Sequence, residues 1–146
     1  MKGSVLMDMR KATLADLETF NQMYTQFFSS DGATHLNRPM PEDKYKDLVD
    51  GEGIYLAIVD GEVMGFATLF AYEDVGCKID NMYIKDKCKG YGTQFYALLE
   101  QEIRDSDIHR VFVHIYDVFD FRAERFWWRR GFRSVNGTGE LEKLLK

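Results

Sequence analysis

The sequence predicts an α/β domain: a mixed, mostly antiparallel sheet with flanking helices and a single parallel strand pair. Three observations predict it. Asp60-Gly61 stands between two apolar runs and reads as a two-residue hairpin turn, so the first half of the sheet pairs antiparallel. The run Ile79–Ile84 passes through Gly90-Tyr91-Gly92 into an amphipathic stretch and then into Arg110–Tyr116; a strand–helix–strand crossover makes those two strands parallel neighbours. At 146 residues and 45% apolar, the chain can build one domain, residues 1–146, around a real core.

In chain order, Leu6–Lys11 reads as a first strand. Thr13, with Asp16 three residues on, makes a capping-box start for a helix whose stripe (Leu14, Leu17, Phe20, Tyr24, Phe27) runs to about Phe28. Ser29–Glu42 is polar and holds Gly32, Pro39 and Pro41, a loop pattern, followed by a short helix over Pro41–Val49. Ile54–Val59 and Val63–Tyr72 are the arms of the hairpin, and Lys78–Ile84 is the next strand. Phe95, Leu98, Leu99 and Ile103 mark one face of a helix that starts near Gly92. Arg110–Tyr116 is a strand, and Phe121–Arg130 is a helix stopped by Gly131. Phe132–Val135 and Leu141–Leu145 form a closing hairpin.

Composition narrows the function. The net charge is −5, which disfavours a nucleic-acid partner despite the run Trp127-Trp128-Arg129-Arg130, and an acidic body suits a cationic substrate such as an amine. No apolar run reaches the length of a membrane span, and Met1–Arg10 lacks the apolar stretch of a secretory signal. Cys77 and Cys88 suggest no disulfide framework, so a reducing cytoplasm is expected. His35, His109 and His114 have no metal-ligand spacing with the cysteines, and no metal is expected.

The chemistry concentrates after the strand Ile79–Ile84. Gly90 and Gly92 permit a tight turn at the start of a helix, whose first N–H groups lack partners and face outward with the positive end of the dipole. Such a mouth binds phosphate, and Lys85, Lys87 and Lys89 add positive charge to it. A P-loop would need Gly-Lys-Ser/Thr, which is absent. The dinucleotide fingerprint would need glycine where Phe95 stands. The remaining pattern, Q/R-x-x-G-x-G/A, is met by Lys87-x-x-Gly90-x-Gly92 with Lys in the first place. Downstream, Ala123-x-x-Phe126-Trp127-x-x-x-Gly131-Phe132 repeats the spacing A-x-x-F-Y-x-x-x-G-F, and Ile79-Asp80-Asn81-Met82-Tyr83-Ile84 is similar to I-E-D-hydrophobic-x-V.

With these three segments in order, the chain resembles the GNAT family of N-acetyltransferases. The resemblance implies a GNAT-type sheet in which the two parallel strands splay apart, with the pantetheine arm of acetyl-CoA in the wedge. It implies backbone contacts to the cofactor from Met82, Tyr83 and Ile84, which pair with the pantetheine as an added strand does and polarise the thioester carbonyl. The pyrophosphate falls to Lys87, Cys88, Lys89, Gly90, Tyr91, Gly92 and Thr93. Asp80 takes the place of the family's acidic residue, the base that accepts the amine proton directly or through water; Glu73 and His114 are alternatives. Many relatives dimerise, so a homodimer is a possible partner state.

The sequence also departs from the family. Trp127 stands where a tyrosine usually lies near the CoA sulfur, and an indole N–H donates but does not ionise usefully. Tyr83, Tyr91 or Tyr116 could replace that acid, Tyr116 best of the three, since it ends the strand beside the wedge; otherwise solvent protonates the thiolate. Asp120 replaces an asparagine that contacts the pantetheine, and it also suits a helix N-cap. Two functions stay open: acetyl transfer to a primary amine of a small molecule or peptide, by direct attack in a ternary complex, or acyl-CoA binding with weak or no turnover. The resemblance implies an acceptor site shaped by residues between Phe27 and Tyr45, a segment that holds Asp31, His35, Asn37, Arg38, Glu42 and Asp43.

Overall fold

Asp60 and Gly61 both take left-handed φ values, 52° and 78°, and close the predicted hairpin with Val59 opposite Glu62. It belongs to a computed structural model that describes residues 6–30, 38–72, 76–86, 89–115, 121–135, 137 and 139–145. The strands are β1 (Met7–Lys11), β2 (Ile54–Val59), β3 (Glu62–Tyr72), β4 (Gly76–Ile84), β5 (Arg110–His114), β6 (Arg133–Val135) and β7 (Glu140–Leu144). The helices are α1 (Leu17–Ser30), α2 (Glu42–Asp50), α3 (Tyr91–Asp105) and α4 (Phe121–Arg129). One seven-stranded sheet runs β1-β2-β3-β4-β5-β7-β6, antiparallel except where β4 meets β5.

The expected closing hairpin is present, but its second strand lies inside. β7 pairs with β5 through five residue pairs and leaves the three-residue β6 at the edge. Burial explains the order: Leu141 and Leu145 are buried in the core, whereas Arg133 and Ser134 are exposed. A short polar strand suits an edge, because it offers little template for pairing.

Each face of the sheet has its own core. Phe20 and Met23 of α1 and Tyr45 of α2 pack on Leu56 and Phe66, with the Phe20 and Phe66 rings 4.9 Å apart. On the opposite face, Phe95 and Leu99 of α3 cover Ala57, Ala67 and Ile84, and Tyr96 and Ile103 join Ile79, Val111, Val113 and Phe132. Among the described residues, no helix is long and apolar enough to cross a membrane.

The entry to α1 follows the capping box. A short 3-10 turn, Leu14–Asp16, precedes the helix, and Thr13 donates its N–H to the Asp16 carboxylate at 2.8 Å. Arg10 adds a two-pronged contact, 2.8 and 2.9 Å, and this guanidinium holds the Asp16 carboxyl down at about 2. A depressed carboxyl stabilises the fold above its unfolded value of about 3.9 and loses that contribution as pH falls through the folded value. Asp16→Asn should therefore cost about 1 kcal/mol at neutral pH, a modest figure because Arg10 is half exposed. In urea melts the gap between variant and wild type should close between about pH 4 and pH 2.

Candidate active site

The loop after β4 reaches α3 at Gly90, which caps the helix in the left-handed conformation, φ 76°. The first helical hydrogen bond runs from the Gln94 N–H to the Gly90 carbonyl, so the N–H groups of Tyr91, Gly92 and Thr93 come before the intrahelical ladder. The two glycines have different duties. A Cβ on Gly90 would meet nothing within 4 Å, so that position needs glycine for its φ. A Cβ on Gly92 would lie 3.2 Å from Phe126 Cε1, so that position needs glycine for the approach of α4. Arg130 completes the mouth: its guanidinium donates to Thr93 Oγ1 at 2.6 Å and lies 5.1 Å from the Phe126 ring centre. Lys89 is at the same end, 3.5 Å from Asp86.

Beside this mouth the parallel ladder stops, among the described residues. The β4–β5 ladder has three pairs, Cys77↔Val111, Lys78↔Phe112 and Ile79↔Val113. Beyond Ile79, β4 stays paired with β3 as far as Ile84, and Lys85 still donates to the Met64 carbonyl at 2.8 Å. On the other side, Ile115 turns its N–H to the Gly139 carbonyl beside β7. Because backbone groups alternate along a strand, a Lys85 N–H that faces β3 turns the N–H and C=O groups of Met82 and Ile84 toward β5. They face the edge where the ladder has ended.

A bulge re-aims the side chains at that point. Thr68 faces Asn81 and Leu69 faces Ile79, so Asp80 is the extra residue on β4. Asp80 raises the Tyr24 hydroxyl pKa, second to burial, which places its charge near α1. Lys78 Nζ lies 3.7 Å from Asp80 Oδ1, and both side chains are about a quarter exposed. Asn81 is buried; its Nδ2 donates to Thr68 Oγ1 at 3.1 Å and to Asp80 Oδ2 at 3.2 Å. Tyr83 packs 6.0 Å from Phe66 on the same side, and burial raises its pKa, so it stays protonated at neutral pH. His114 is exposed; by alternation from Phe112, the register partner of Lys78, it shares this face of the sheet.

Comparison with known proteins now bears on this arrangement. The model of the acetyltransferase (GNAT) family matches residues 17–132. The chain belongs to that family. By family it is an N-acetyltransferase. Among curated protein sequences none matches the chain. Solved structures share the fold. The PaiA N-acetyltransferase of Thermoplasma acidophilum, in complex with coenzyme A, has a TM-score of 0.79 at 15% identity, covering 95% of this chain and 99% of that one. An N-acetyltransferase of Staphylococcus aureus Mu50 gives 0.76 at 17%, covering 97% and 99%. A structure of yncA from Salmonella typhimurium with its cofactor acetyl-CoA gives 0.75 at 16%, covering 97% and 95%.

Against the GNAT pattern, the expected site residues divide. Asp80, Met82, Tyr83 and Ile84 line the end of the ladder, and Lys89, Gly90, Tyr91, Gly92 and Thr93 form the mouth of α3. The Tyr91 ring leans on the core under α3. Trp127, at the GNAT tyrosine position, sits edge-on among Tyr96, Phe126 and Phe132, with ring centres 5.7, 5.0 and 5.1 Å away. Lys87, Cys88, Tyr116 and Asp120, with Glu73 and the residues Asp31, His35 and Asn37 expected near the acceptor, lie outside the described residues. Sequence reasoning missed Arg130, Lys78 and Asn81. Arg130 carried no signal beyond its place in a basic run, and the contacts of Asp80 with Lys78 and Asn81 form beside the bulge.

Proposed function

We propose that this GNAT protein moves an acetyl group from acetyl-CoA to a primary amine of a small molecule or peptide, by direct attack while both substrates are bound. One observation carries the reading: the parallel ladder ends after three pairs, beside a helix start with outward N–H groups and with Met82 and Ile84 turned to the open edge. When bound, acetyl-CoA supplies an activated thioester. The N–H groups of Tyr91, Gly92 and Thr93 would hold its pyrophosphate, helped by Lys89 and Arg130. The edge of Met82–Ile84 would take the pantetheine amides as a neighbouring strand does, and one N–H there would polarise the thioester carbonyl.

Asp80 accepts the proton of the amine, directly or through a water, which leaves the nitrogen lone pair free to attack. Tyr116, one of the residues outside the described set, remains the first choice to protonate the thiolate, with Tyr83 or solvent as replacements. Expression in the cytoplasm and a homodimer are compatible with this reading and add nothing to its chemistry.

The packed indole of Trp127 favours a second reading, an acyl-CoA-binding domain with little turnover. The two share CoA binding and part at turnover. A thiol-release assay with acetyl-CoA across a panel of primary amines should show amine-dependent release. Tight CoA binding with no release from any amine would hand the case to the second reading.

A further inference from the structure

The side-chain cluster on the α1 face of β4 holds an acceptor with nothing to accept. Asn81 is 5% exposed, and its Oδ1 is buried with no hydrogen-bond partner among the described residues. Its orientation is fixed by chemistry. The Asp80 carboxylate, within 3.2 Å, only accepts, so the amide must turn Nδ2 toward it and toward Thr68. Oδ1, the other arm of the amide, is then the atom left without a donor, on the strand stretch just past the last pair of the β4–β5 ladder. An unsatisfied buried acceptor costs roughly 1–3 kcal/mol, a penalty that an incoming N–H would relieve.

The second element is charge. Lys78 and Asp80 lie 3.7 Å apart, beyond a good charge-assisted hydrogen bond, and both remain partly exposed. Together they sum to zero. A polyamine or a simple ammonium ion would bring uncompensated positive charge beside Lys78. A zwitterion would replace one loose ion pair by two, because its ammonium and its carboxylate each find an opposite charge.

We propose, resting on the acetyl-transfer reading above, that the acceptor is a free α-amino acid, its amino group held by Asp80 and Asn81 Oδ1 and its carboxylate by Lys78. The amine enters as the ammonium ion and passes one proton to Asp80. A remaining N–H donates to Asn81 Oδ1, and this orients the lone pair. The nitrogen forms the amide bond as the carbon–sulfur bond breaks and gives its second proton to solvent; the sulfur leaves as a thiolate and takes up a proton from solvent, directly or through a tyrosine hydroxyl that solvent reprotonates.

Two substitutions and a matched acceptor panel test this: free amino acids, the same amino acids as carboxamides, and a polyamine, each read by thiol release with acetyl-CoA. In wild type, kcat/KM for the free acid should exceed that for the carboxamide at least tenfold. Lys78→Met should erase most of that ratio, raising KM for the acid far more than for the carboxamide. Asn81→Leu should slow every amine; thermal melts of each variant report folding. Equal or better turnover of carboxamides or the polyamine by wild type would overturn the proposal and leave acetyl transfer standing. A Lys78→Met enzyme with an undiminished preference for the acid would also overturn it. Absence of release from every amine would sink the acetyl-transfer reading and this inference together.

Discussion

Gly92→Val should weaken CoA binding by at least about 100-fold, the equivalent of two lost charge-assisted hydrogen bonds at roughly 1.5–3 kcal/mol each. The reason is displacement. A Cβ at Gly92 already meets Phe126 Cε1 at 3.2 Å, and the two further methyls of valine force α4 from the start of α3. Arg130 rides on the Phe126 ring and bonds Thr93, so its guanidinium moves as well. The same crowding should lower stability by about 1–3 kcal/mol, as over-packing does elsewhere. Gly90→Ala is the contrast: its Cβ finds open space, and the expected cost is about 1–2 kcal/mol of left-handed backbone strain. Calorimetric titration with CoA, paired with thermal melts, separates the two. Normal CoA affinity in Gly92→Val would mean that the phosphates bind somewhere else.

The second large effect falls on turnover. Asp80→Asn should lower kcat by about 10²–10⁴, the range that a positioned general base supplies, and leave CoA affinity unchanged. Asparagine keeps the volume and can still accept from Asn81 Nδ2, so a loss would report the proton step rather than a collapsed site. If kcat stays within a few-fold of wild type, the base lies elsewhere. His114, exposed on the same face, is then the residue to replace next.

Local patterns were readable where one short segment decides the outcome. Asp60-Gly61 needs no distant contact to turn the chain, and Thr13 with Asp16 needs only three residues to start a helix. Strand and helix bounds from Ile54 to Asp105 match the expected segments within two residues. The mouth of α3 was legible for the same reason, since glycines before an amphipathic helix act locally. Trp127 is a different case. The motif named its position, but its aromatic surroundings come from Tyr96 and Phe132, on α3 and just before β6.

What the sequence by itself determined is the order of the elements, the glycine-started helix and the residue types available for acyl transfer. Each of these rests on turn geometry, hydrophobic period or a short spacing. What only the tertiary structure decided is how those residues meet: the parallel ladder that stops after three pairs, the bulge that makes Asp80 an extra residue, the Arg130 contact with Thr93, and the Asn81 oxygen left without a donor. Register between strands and the approach of helices distant in the chain are set by the packing of the whole core, and no local stretch of sequence carries that information.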